Sequence, residues 1–482
     1  MNSEIKTFCP EFDEYLRDES RRSGCADQII LAKREEDVRL ALLSSSNITI
    51  QGARTGIAAG AVPEGGLILN LSRMNAIGEI DGDHITVQPG ALLSEIWKKV
   101  EDAGLFFPPD PTETSASIGG MMACNASGAM SYHYGPTRNW IHSLRMMLAD
   151  GDILRVERGQ KADGLSFSLL TESDREISGT LPELNMPDVK SAAGYYIKPD
   201  MDLLDLFIGM EGTLGVIIEA ELELLPAPEF QQALCAFFPN EDAALKFVRF
   251  LRKNLNPVAV EFFDHNALEL LRNAELELPN IPAHFHTAIY FEFHHDAEED
   301  ILAAAEKMME LGAGEDACWI ADTPREIEVH KAFRHATPEA VNLLIDQRKK
   351  ECPGLTKLGT DMSVPDDGLE KVMQLYRTDL ATTGLEHVIF GHIGNNHLHV
   401  NILPRNMNEL AQGKELYLNW AEQVVAMGGS VSAEHGIGKL KVPLLGKMFG
   451  ADGIAAMRDI KKLFDPEGIL NPGNLFAAEP LK

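Results

Sequence analysis

Three glycine-rich segments separate short apolar runs in the first half of the chain, and they constrain its fold more than any other feature. They span residues 50–60, 108–128 and 209–217, and each also carries Ser, Thr or Asn side chains. Glycine lets backbone N–H groups approach a ligand closely, and hydroxyl or amide groups can hydrogen-bond to it. Short strands joined by such turns, with a few helical patterns between them, predict a mixed α+β fold.

The first segment reads Ile-Gln-Gly-Ala-Arg-Thr-Gly-Ile-Ala-Ala-Gly and directly follows the strand-like residues 47–50. Its backbone N–H groups could converge on a phosphate. It has neither a Lys-Ser/Thr pair after its glycines nor G-x-G-x-x-G spacing, which argues against a P-loop and against a Rossmann fingerprint. Taken alone, an ordinary turn explains this loop about as well as a ligand cradle does.

Length, charge and cysteine content narrow the class of protein. A chain of 482 residues is too long for one ordinary core, so we expect two domains or one domain with a large insertion. Its net charge of −30 would repel phosphate backbones and anionic lipids, which disfavours nucleic acid as a partner. Without a signal-peptide pattern or a run of about 18 apolar residues, the chain is expected to be cytoplasmic and to have no membrane span. Six scattered cysteines with no Cys-x-x-Cys pair argue against an iron–sulfur cluster.

The texture of the sequence changes after Pro226. Before it, glycine turns and short strands dominate, whereas after it come charged helical stretches and an alternating strand at residues 287–293. We therefore predict a first domain at residues 1–220, a second α+β domain at 221–430, and a C-terminal segment, 431–482, that returns to the first domain.

A histidine-rich segment, residues 387–402, contains two β-type runs around Gly394-Asn395-Asn396. Asparagine tolerates positive φ, so we predict a two-residue turn centred on Asn395-Asn396, which places His392 opposite His399. The Cβ atoms of such a pair lie about 4.5–5.5 Å apart, close enough for two imidazoles to share a metal ion.

The same strand face carries His397 and Asn401, and a third ligand is available elsewhere. Glu434, in Glu434-His435-Gly436-Ile437-Gly438, offers a carboxylate beside a titratable imidazole. A polar histidine cluster on a solvated hairpin remains the alternative interpretation.

In series, the three glycine-rich segments resemble the FAD-binding domain of the vanillyl-alcohol oxidase and para-cresol methylhydroxylase family. Gly391-His392-Ile393-Gly394, the Glu434-His435 motif and the closing residues 465–473 resemble its glycolate oxidase and D-lactate dehydrogenase branch, which includes D-2-hydroxyglutarate dehydrogenases. The resemblance covers nearly the whole chain. It implies a two-part FAD-binding domain with an α+β cap, or substrate, domain built on an antiparallel sheet.

The resemblance also implies which residues bind FAD. They are Gly52, Ala53, Arg54, Thr55, Gly56, Ser115, Gly119, Gly120, Asn125, Ser127, Gly128, Tyr134, Gly135, Glu211, Gly212, Gly215, Ile217 and Asn471. Some relatives attach the flavin covalently through a His in the first loop, where this chain has Arg54-Thr55-Gly56. Non-covalent FAD is therefore expected.

By the same resemblance, His392, His399 and Glu434 bind a divalent metal ion (Zn, Mn or Fe), and His435 is the general base. The usual hairpin of the family reads Asp-Gly-Asn where this chain has Asn395-Asn396-His397. The departure leaves both histidine ligands in place, and it makes His397 either a fourth ligand or a substrate contact.

Two cations outside these motifs are further candidates. Arg334 matches a position where the family uses Arg to hold the substrate carboxylate, although a surface salt bridge explains a lone Arg on a charged helix nearly as well. Lys357 could contact a second acidic group of a larger substrate, but a surface lysine is the better interpretation.

The implied activity is oxidation of a D-2-hydroxy acid (D-lactate, glycolate or D-2-hydroxyglutarate) to the 2-oxo acid, with hydride passing to flavin N5. The implied acceptor is an electron-transferring flavoprotein, an iron–sulfur subunit or a quinone, and a homodimer is left open. Two alternatives share the architecture. One is a non-redox flavoenzyme of the alkyl-dihydroxyacetonephosphate synthase type, and the other is a redox-silent flavin-binding subunit.

Overall fold

The computed structural model describes residues 4–274, 276, 278–314 and 317–477. Its strands are β1 (Lys6–Thr7), β2 (Gln28–Leu31), β3 (Ile48–Gln51), β4 (Leu67–Asn70), β5 (Ile77–Asp81), β6 (His84–Val87), β7 (Leu105–Phe106), β8 (Ile141–Met147), β9 (Ile153–Glu157), β10 (Ser166–Leu170), β11 (Glu176–Thr180), β12 (Val216–Glu223), β13 (Leu225–Pro226), β14 (Gln232–Phe238), β15 (Ala259–Phe263), β16 (Thr287–Phe293), β17 (Cys318–Ala321), β18 (Leu358–Gly359), β19 (Met362–Ser363), β20 (His387–Gly391) and β21 (His397–Ile402).

The α-helices are α1 (Glu35–Ser44), α2 (Leu93–Glu101), α3 (Ile118–Cys124), α4 (Ser131–Tyr134), α5 (Glu241–Asn254), α6 (His265–Arg272), α7 (Glu298–Glu310), α8 (Pro324–Lys349), α9 (Leu369–Thr383), α10 (Met407–Ala426) and α11 (Val442–Phe464). The mixture of helices and sheets confirms the predicted α+β fold. In the part of the chain that the structure describes, no helix is both long and apolar enough to cross a membrane.

The first glycine-rich segment begins at the end of β3, in a small four-stranded sheet. The strand order is β1-β2-β4-β3, and β2, β4 and β3 run parallel. β4 is buried along its whole length, as expected for a central strand of apolar residues. The C-terminal segment lies against β3, because Ile48 N donates to Ile469 O (2.9 Å) and Asn471 N donates to Ile48 O (2.8 Å). Residue 471 is thereby held beside the first glycine-rich loop.

A five-stranded antiparallel sheet follows, with the order β5-β6-β12-β8-β9. The third segment runs into its central strand, β12. The second segment forms α3, which ends at Asn125 in the left-handed conformation (φ 50°), a conformation that asparagine tolerates.

Residues 232–402 form an eight-stranded antiparallel sheet with the order β17-β14-β16-β15-β20-β21-β18, and β19 also pairs with β21. This sheet confirms the antiparallel sheet predicted for the cap. All seven residues of β16 are buried between neighbouring strands and covering helices. Helix α8 packs on the sheet through Phe333, whose ring centroid lies 4.9 Å from that of Phe263. The division of the chain at residues 220 and 430 stays a prediction.

The predicted turn of the histidine hairpin is wrong. His399 pairs with Phe390, not with His392, and a short 3₁₀ helix at Ile393–Asn395 connects the two strands. Asn396 then adopts φ 52° and ends that helix. The longer connection shifts the register by two residues, and a shift of two keeps every side chain on its predicted face of the sheet.

Candidate active site

Three imidazoles of the β20–β21 hairpin surround the carboxylate of Glu434. His392 Nε2 lies 3.2 Å from Glu434 Oε2, His399 Nε2 lies 3.2 Å from Glu434 Oε1, and His397 Nδ1 lies 3.9 Å from Oε2. The four donor atoms of this cluster all fall within 4.8 Å of one another. The predicted ligands His392, His399 and Glu434 are therefore brought together, and His397 joins them.

The outer nitrogens of two rings are held by oxygen atoms. His392 Nδ1 lies 2.7 Å from Glu261 Oε1, and His399 Nδ1 lies 3.0 Å from Thr360 O. Because both partners are acceptors, each Nδ1 carries a proton and each Nε2 faces Glu434. Two acceptors 3.2 Å apart repel each other unless a cation lies between them. The donor set therefore fits a metal ion.

Burial and neighbouring charges set the pKa values of His392 and Glu434. Burial works to lower the pKa of His392, but Glu261 and Glu434 outweigh it and raise this pKa to about 9. Burial works to raise the pKa of Glu434, yet His392 and Lys190 hold it well below its ordinary value. Without a metal ion, a proton on His392 thus takes the place of the cation.

Lys190 and Ser127 reach the same carboxylate from the glycine-rich half of the chain. Lys190 Nζ lies 2.7 Å from Glu434 Oε2, and Ser127 Oγ donates to the same oxygen at 3.3 Å. The Lys190 side chain is only 5% exposed. The second glycine-rich segment, predicted to line FAD, therefore borders the histidine cluster. No motif surrounds Lys190 in the sequence, so only the tertiary structure could identify it.

Asp361 fixes the loop that carries His435. Its carboxylate accepts from His435 N (3.0 Å), Ser432 Oγ (2.7 Å) and Lys441 Nζ (2.6 Å). Burial alone would raise the pKa of Asp361, but its electrostatic interactions with His435 and Lys441 keep it well below its ordinary value. This ionised, buried carboxylate was not assigned a role from the sequence, although it lies in the segment Gly359-Thr360-Asp361.

His435 lies at the open side of the cluster. Its side chain is 27% exposed, against 11% for His392 and 12% for His399. Its Nδ1 lies 3.4 Å from Asp361 Oδ2, and its Nε2 lies 3.5 Å from Glu434 Oε1. Burial lowers the pKa of His435 to about 4, so the ring is a neutral proton acceptor near pH 7.

Arg334 is buried, so it is not the surface arginine of the alternative interpretation. Helix α8 directs it at Asp110 of the second glycine-rich segment, with Nη1 3.2 Å from Oδ2, and its side chain is 9% exposed. Burial would lower its pKa, but the negative charges of Asp110, Glu292 and Glu261 hold it above the ordinary value. Burial likewise raises the pKa of Asp110 to about 6, although Arg334 opposes the rise.

Lys357 is half-buried rather than fully exposed, in contrast to the surface lysine that the sequence favoured. Its pKa is lowered by burial and by the neighbouring charge of Arg21, and Arg21 itself pairs with Asp346 at an exposed position. Within the described part of the chain, Lys357 makes no hydrogen bond or ion pair with the histidine cluster.

The first glycine-rich loop is anchored by a serine that the sequence analysis missed. Ala53 N donates to Ser117 Oγ (3.1 Å), whereas the predicted Ser115 donates its hydroxyl to Glu113 at an exposed position. A Cβ at Gly52 would collide with Ser117 Oγ, whereas a Cβ at Gly56 would meet no atom within 4 Å. The loop is thus tight at one end and open at the other, which fits a backbone cradle for pyrophosphate.

Other residues predicted to bind FAD make contacts between separate segments of the chain. Arg54 stacks on Tyr15, with its Cζ 4.3 Å from the ring centroid. Glu211 accepts from Ile437 N (2.6 Å) and Gly438 N (2.7 Å), and burial raises its pKa to about 7. Asn471 links the first and third segments, since it accepts from Ile50 N (2.7 Å) and donates to Glu211 O (2.7 Å). The loop of His435 is therefore fastened to the third segment through Glu211, and Lys439 N attaches it to the first segment by donating to Ala58 O (3.0 Å).

The remaining predicted positions lie in or beside these segments. Asn125 accepts from Arg138 N (3.0 Å), and Tyr134 shares a 2.9 Å hydrogen bond with His294. A Cβ at Gly128 would collide with the backbone of Asp110. Thr55, Gly119, Gly120, Gly135, Gly212, Gly215 and Ile217 occupy the loops, α3 and the start of β12.

Comparisons with known proteins define the class to which this fold and site belong. Residues 227–475 match the model of the C-terminal domain of FAD linked oxidases, and residues 26–157 match that of an FAD binding domain. The chain belongs to the FAD-linked oxidase family and is an FAD-dependent oxidoreductase.

Its relatives place it in the glycolate oxidase, D-lactate dehydrogenase and D-2-hydroxyglutarate dehydrogenase branch. It is 30% identical to the glycolate oxidase subunit GlcD of Bacillus subtilis over 95% of this chain and 90% of that protein. It is 32% identical to D-2-hydroxyglutarate dehydrogenase of Stutzerimonas stutzeri (89% and 85% covered) and 29% identical to D-lactate dehydrogenase of Anaerostipes hadrus (96% and 92%).

A solved structure of an alkyldihydroxyacetonephosphate synthase shares the fold. The TM-score is 0.68 over 97% of this chain and 82% of that one, at 16% sequence identity. At this identity the likeness concerns the architecture alone. The predicted two-part FAD-binding domain with a cap is confirmed.

Replacing Gly52 with alanine should weaken FAD binding by roughly 10-fold or more. The new Cβ would displace Ser117 and with it the hydrogen bond to Ala53 N, an overpacking effect of about 1–3 kcal/mol. FAD content of the purified protein measures the effect. Gly446→Ala is the control, because a Cβ there meets no atom within 4 Å, and its FAD content should equal that of the wild type. Full FAD occupancy in Gly52→Ala would contradict the role of the first glycine-rich loop in binding the pyrophosphate of FAD.

Proposed function

We propose that this chain oxidises a D-2-hydroxy acid to the 2-oxo acid with non-covalent FAD and a divalent metal ion. The observation that carries the proposal is that His392 Nε2 and His399 Nε2 each lie 3.2 Å from a Glu434 oxygen while their Nδ1–H groups are committed elsewhere. Such nitrogen and oxygen donors suit zinc, manganese or iron. The names of the relatives, which include glycolate oxidase and D-lactate dehydrogenase, support the substrate class.

When bound, FAD supplies a two-electron acceptor for hydride, and the metal ion supplies a Lewis acid that lowers the pKa of a ligated hydroxyl group. The protein's own residues must then hold the substrate and remove its hydroxyl proton. Both tasks fall to residues at the border between the glycine-rich segments and the histidine cluster.

His435 accepts the hydroxyl proton at Nε2. The ring is the most exposed of the histidines in the cluster, and Asp361 lies 3.4 Å from its Nδ1, which orients the ring. The negative charge of Asp361 stabilises the imidazolium that forms when the proton arrives.

Arg334 binds the carboxylate of the substrate. Its guanidinium is permanently charged and offers several donors, of which one is engaged by Asp110 and one by His335 (2.7 Å). Because Asp110 fixes the guanidinium from the side of the second glycine-rich segment, the bound acid is held in one orientation.

The electrons leave the flavin for a separate acceptor, either a protein or a quinone. All six cysteines of the chain are unpaired thiols, so the chain offers no disulfide or cysteine cluster as an internal relay. An electron-transferring flavoprotein or an iron–sulfur subunit would serve, and so would a quinone.

The charges around Arg334 favour a substrate with a single carboxylate. Asp110, Glu261 and Glu292 are all buried near this guanidinium. In the described part of the chain, the two lysines of the site are already paired, Lys190 with Glu434 and Lys441 with Asp361. A second substrate carboxylate would therefore be buried without a partner, which is strongly unfavourable.

A panel of acids tests both the activity and this selectivity. With an artificial electron acceptor, D-lactate and larger D-2-hydroxy monocarboxylates should be oxidised with a kcat/KM at least about 100-fold above that of D-2-hydroxyglutarate, which corresponds to about 2.7 kcal/mol. L-enantiomers serve as controls. Preference for D-2-hydroxyglutarate would contradict the selectivity for a single carboxylate but not the proposed oxidation of a D-2-hydroxy acid. A flavin that no acid reduces would instead favour the non-redox or redox-silent alternatives.

A further inference from the structure

His397 is buried in a way that a polar ring rarely tolerates. Its side chain is 0% exposed. Among the described residues its Nδ1 has no hydrogen-bond partner, and its Nε2 lies 3.1 Å from Asp361 Oδ1 without hydrogen-bond geometry. Each buried polar atom left without a partner is unfavourable by about 1–3 kcal/mol. A ring so placed needs a ligand to offset this penalty.

The ring is held rigidly by its backbone. His397 begins β21, its backbone N donates to His392 O (3.2 Å), and Ser363 of β19 pairs with it from the other side. The ring centroid lies 4.5 Å from that of His399 and 5.3 Å from that of His392. The side chain therefore faces the cluster and cannot turn to solvent without disrupting the sheet.

The three imidazoles share one arrangement. Each has one nitrogen directed at Glu434 and the other near an oxygen, which is Glu261 Oε1 for His392 and Thr360 O for His399. For His397 these atoms are Nδ1, 3.9 Å from Glu434 Oε2, and Nε2, 3.1 Å from Asp361 Oδ1. Histidine ligands commonly direct their second nitrogen at a carboxylate or carbonyl in this way.

We propose that His397 is a fourth protein ligand, through Nδ1, of the metal ion assumed in the proposed function, which makes the site three histidines and one glutamate. The inference rests on that function, because it presupposes that His392, His399 and Glu434 bind a metal ion. It resolves the two roles left open by the sequence in favour of metal binding rather than substrate contact.

A fourth ligand changes which metals suit the reaction. Four protein donors fill the tetrahedral shell that zinc prefers, and a filled shell is typical of structural sites. Manganese and iron(II) accept six ligands and retain two positions for the hydroxyl and carboxylate oxygens of a hydroxy acid. We therefore expect manganese or iron to support turnover better than zinc.

Metal affinity of apo-protein variants, measured for Mn²⁺ and Zn²⁺ by chelator competition, tests the proposal without relying on activity. His397→Asn should bind at least about 100-fold more weakly than the wild type, since loss of even a supporting partner of a ligand weakens binding 10- to 100-fold. His387→Asn is the matched control, because His387 lies in the same hairpin but contacts Asn266 and Leu385 O. It should bind as the wild type does.

X-ray absorption on the zinc-loaded wild type gives a second readout that needs no variant to fold. It should count three histidines in the metal shell. Two histidines, or wild-type affinity in His397→Asn while His392→Ala has lost the metal, would overturn the role of His397 and leave the proposed function intact. A wild type that binds neither ion would overturn both.

Discussion

Replacing Glu434 with glutamine is expected to abolish metal binding and, with it, oxidation of the hydroxy acid. Among the residues that the structure describes, Glu434 is the one carboxylate that all three imidazoles face, and its charge also compensates buried Lys190. An amide retains the shape of the side chain but not the charge that a divalent cation requires. Metal affinity should fall by at least about 100-fold, and turnover should fall with metal content.

The same substitution should destabilise the fold, because it leaves the Lys190 ammonium buried without a partner. Removing one member of a buried ion pair raises the free energy of the folded state by about 3–5 kcal/mol. The double variant Lys190→Met, Glu434→Gln should recover much of the lost stability in urea denaturation but none of the metal binding. Normal metal content in Glu434→Gln would contradict the assignment of Glu434 as a metal ligand. Recovery of metal binding in the double variant would show that Glu434 serves only to neutralise Lys190.

Replacing His435 with glutamine should slow flavin reduction by the substrate by about 10²–10⁴-fold, the range usual for loss of a general base. FAD and metal content should not change, because the backbone N–H that holds this loop to Asp361 remains. Anaerobic stopped-flow mixing measures the rate from the absorbance of oxidised flavin.

Two controls separate loss of the base from a damaged flavin site. Dithionite should reduce the flavin of His435→Gln as fast as that of the wild type, since this reaction needs no substrate proton to be removed. His387 lies in the β20–β21 hairpin but outside the cluster, so the flavin of His387→Gln should be reduced by substrate at the normal rate. Substrate-driven reduction of His435→Gln at the wild-type rate would exclude His435 as the base.

Local sequence patterns predict much of the fold because they report which face of an element is buried. Leu93, Ile96 and Val100 recur at helical spacing, and all three are buried in α2. The histidine cluster is likewise predicted correctly, although the predicted turn of the hairpin is wrong. The pattern fixes the face of the strand, and a register shift of two residues preserves that face.

Residues that act through long-range contacts could not be predicted. Glu261 lies within an otherwise apolar buried strand, and its carboxylate is accommodated there because His392 lies 2.7 Å away. Lys190 lies in a loop without a motif and reaches Glu434 only through the packing of the glycine-rich half against the hairpin. Ser117, rather than Ser115, contacts the first loop because β3 and α3 meet there, and spacing alone does not distinguish two serines in one turn.

We propose that a metal ion at the histidine cluster is required for a hydroxy acid to reduce the flavin. The measurement that tests it most directly is anaerobic single-turnover reduction of the FAD-loaded protein by D-lactate, first after removal of metal with a chelator and then after addition of Mn²⁺. We expect the oxidised flavin spectrum to persist without metal and to disappear once Mn²⁺ is restored. Equally fast reduction in the stripped protein would contradict it.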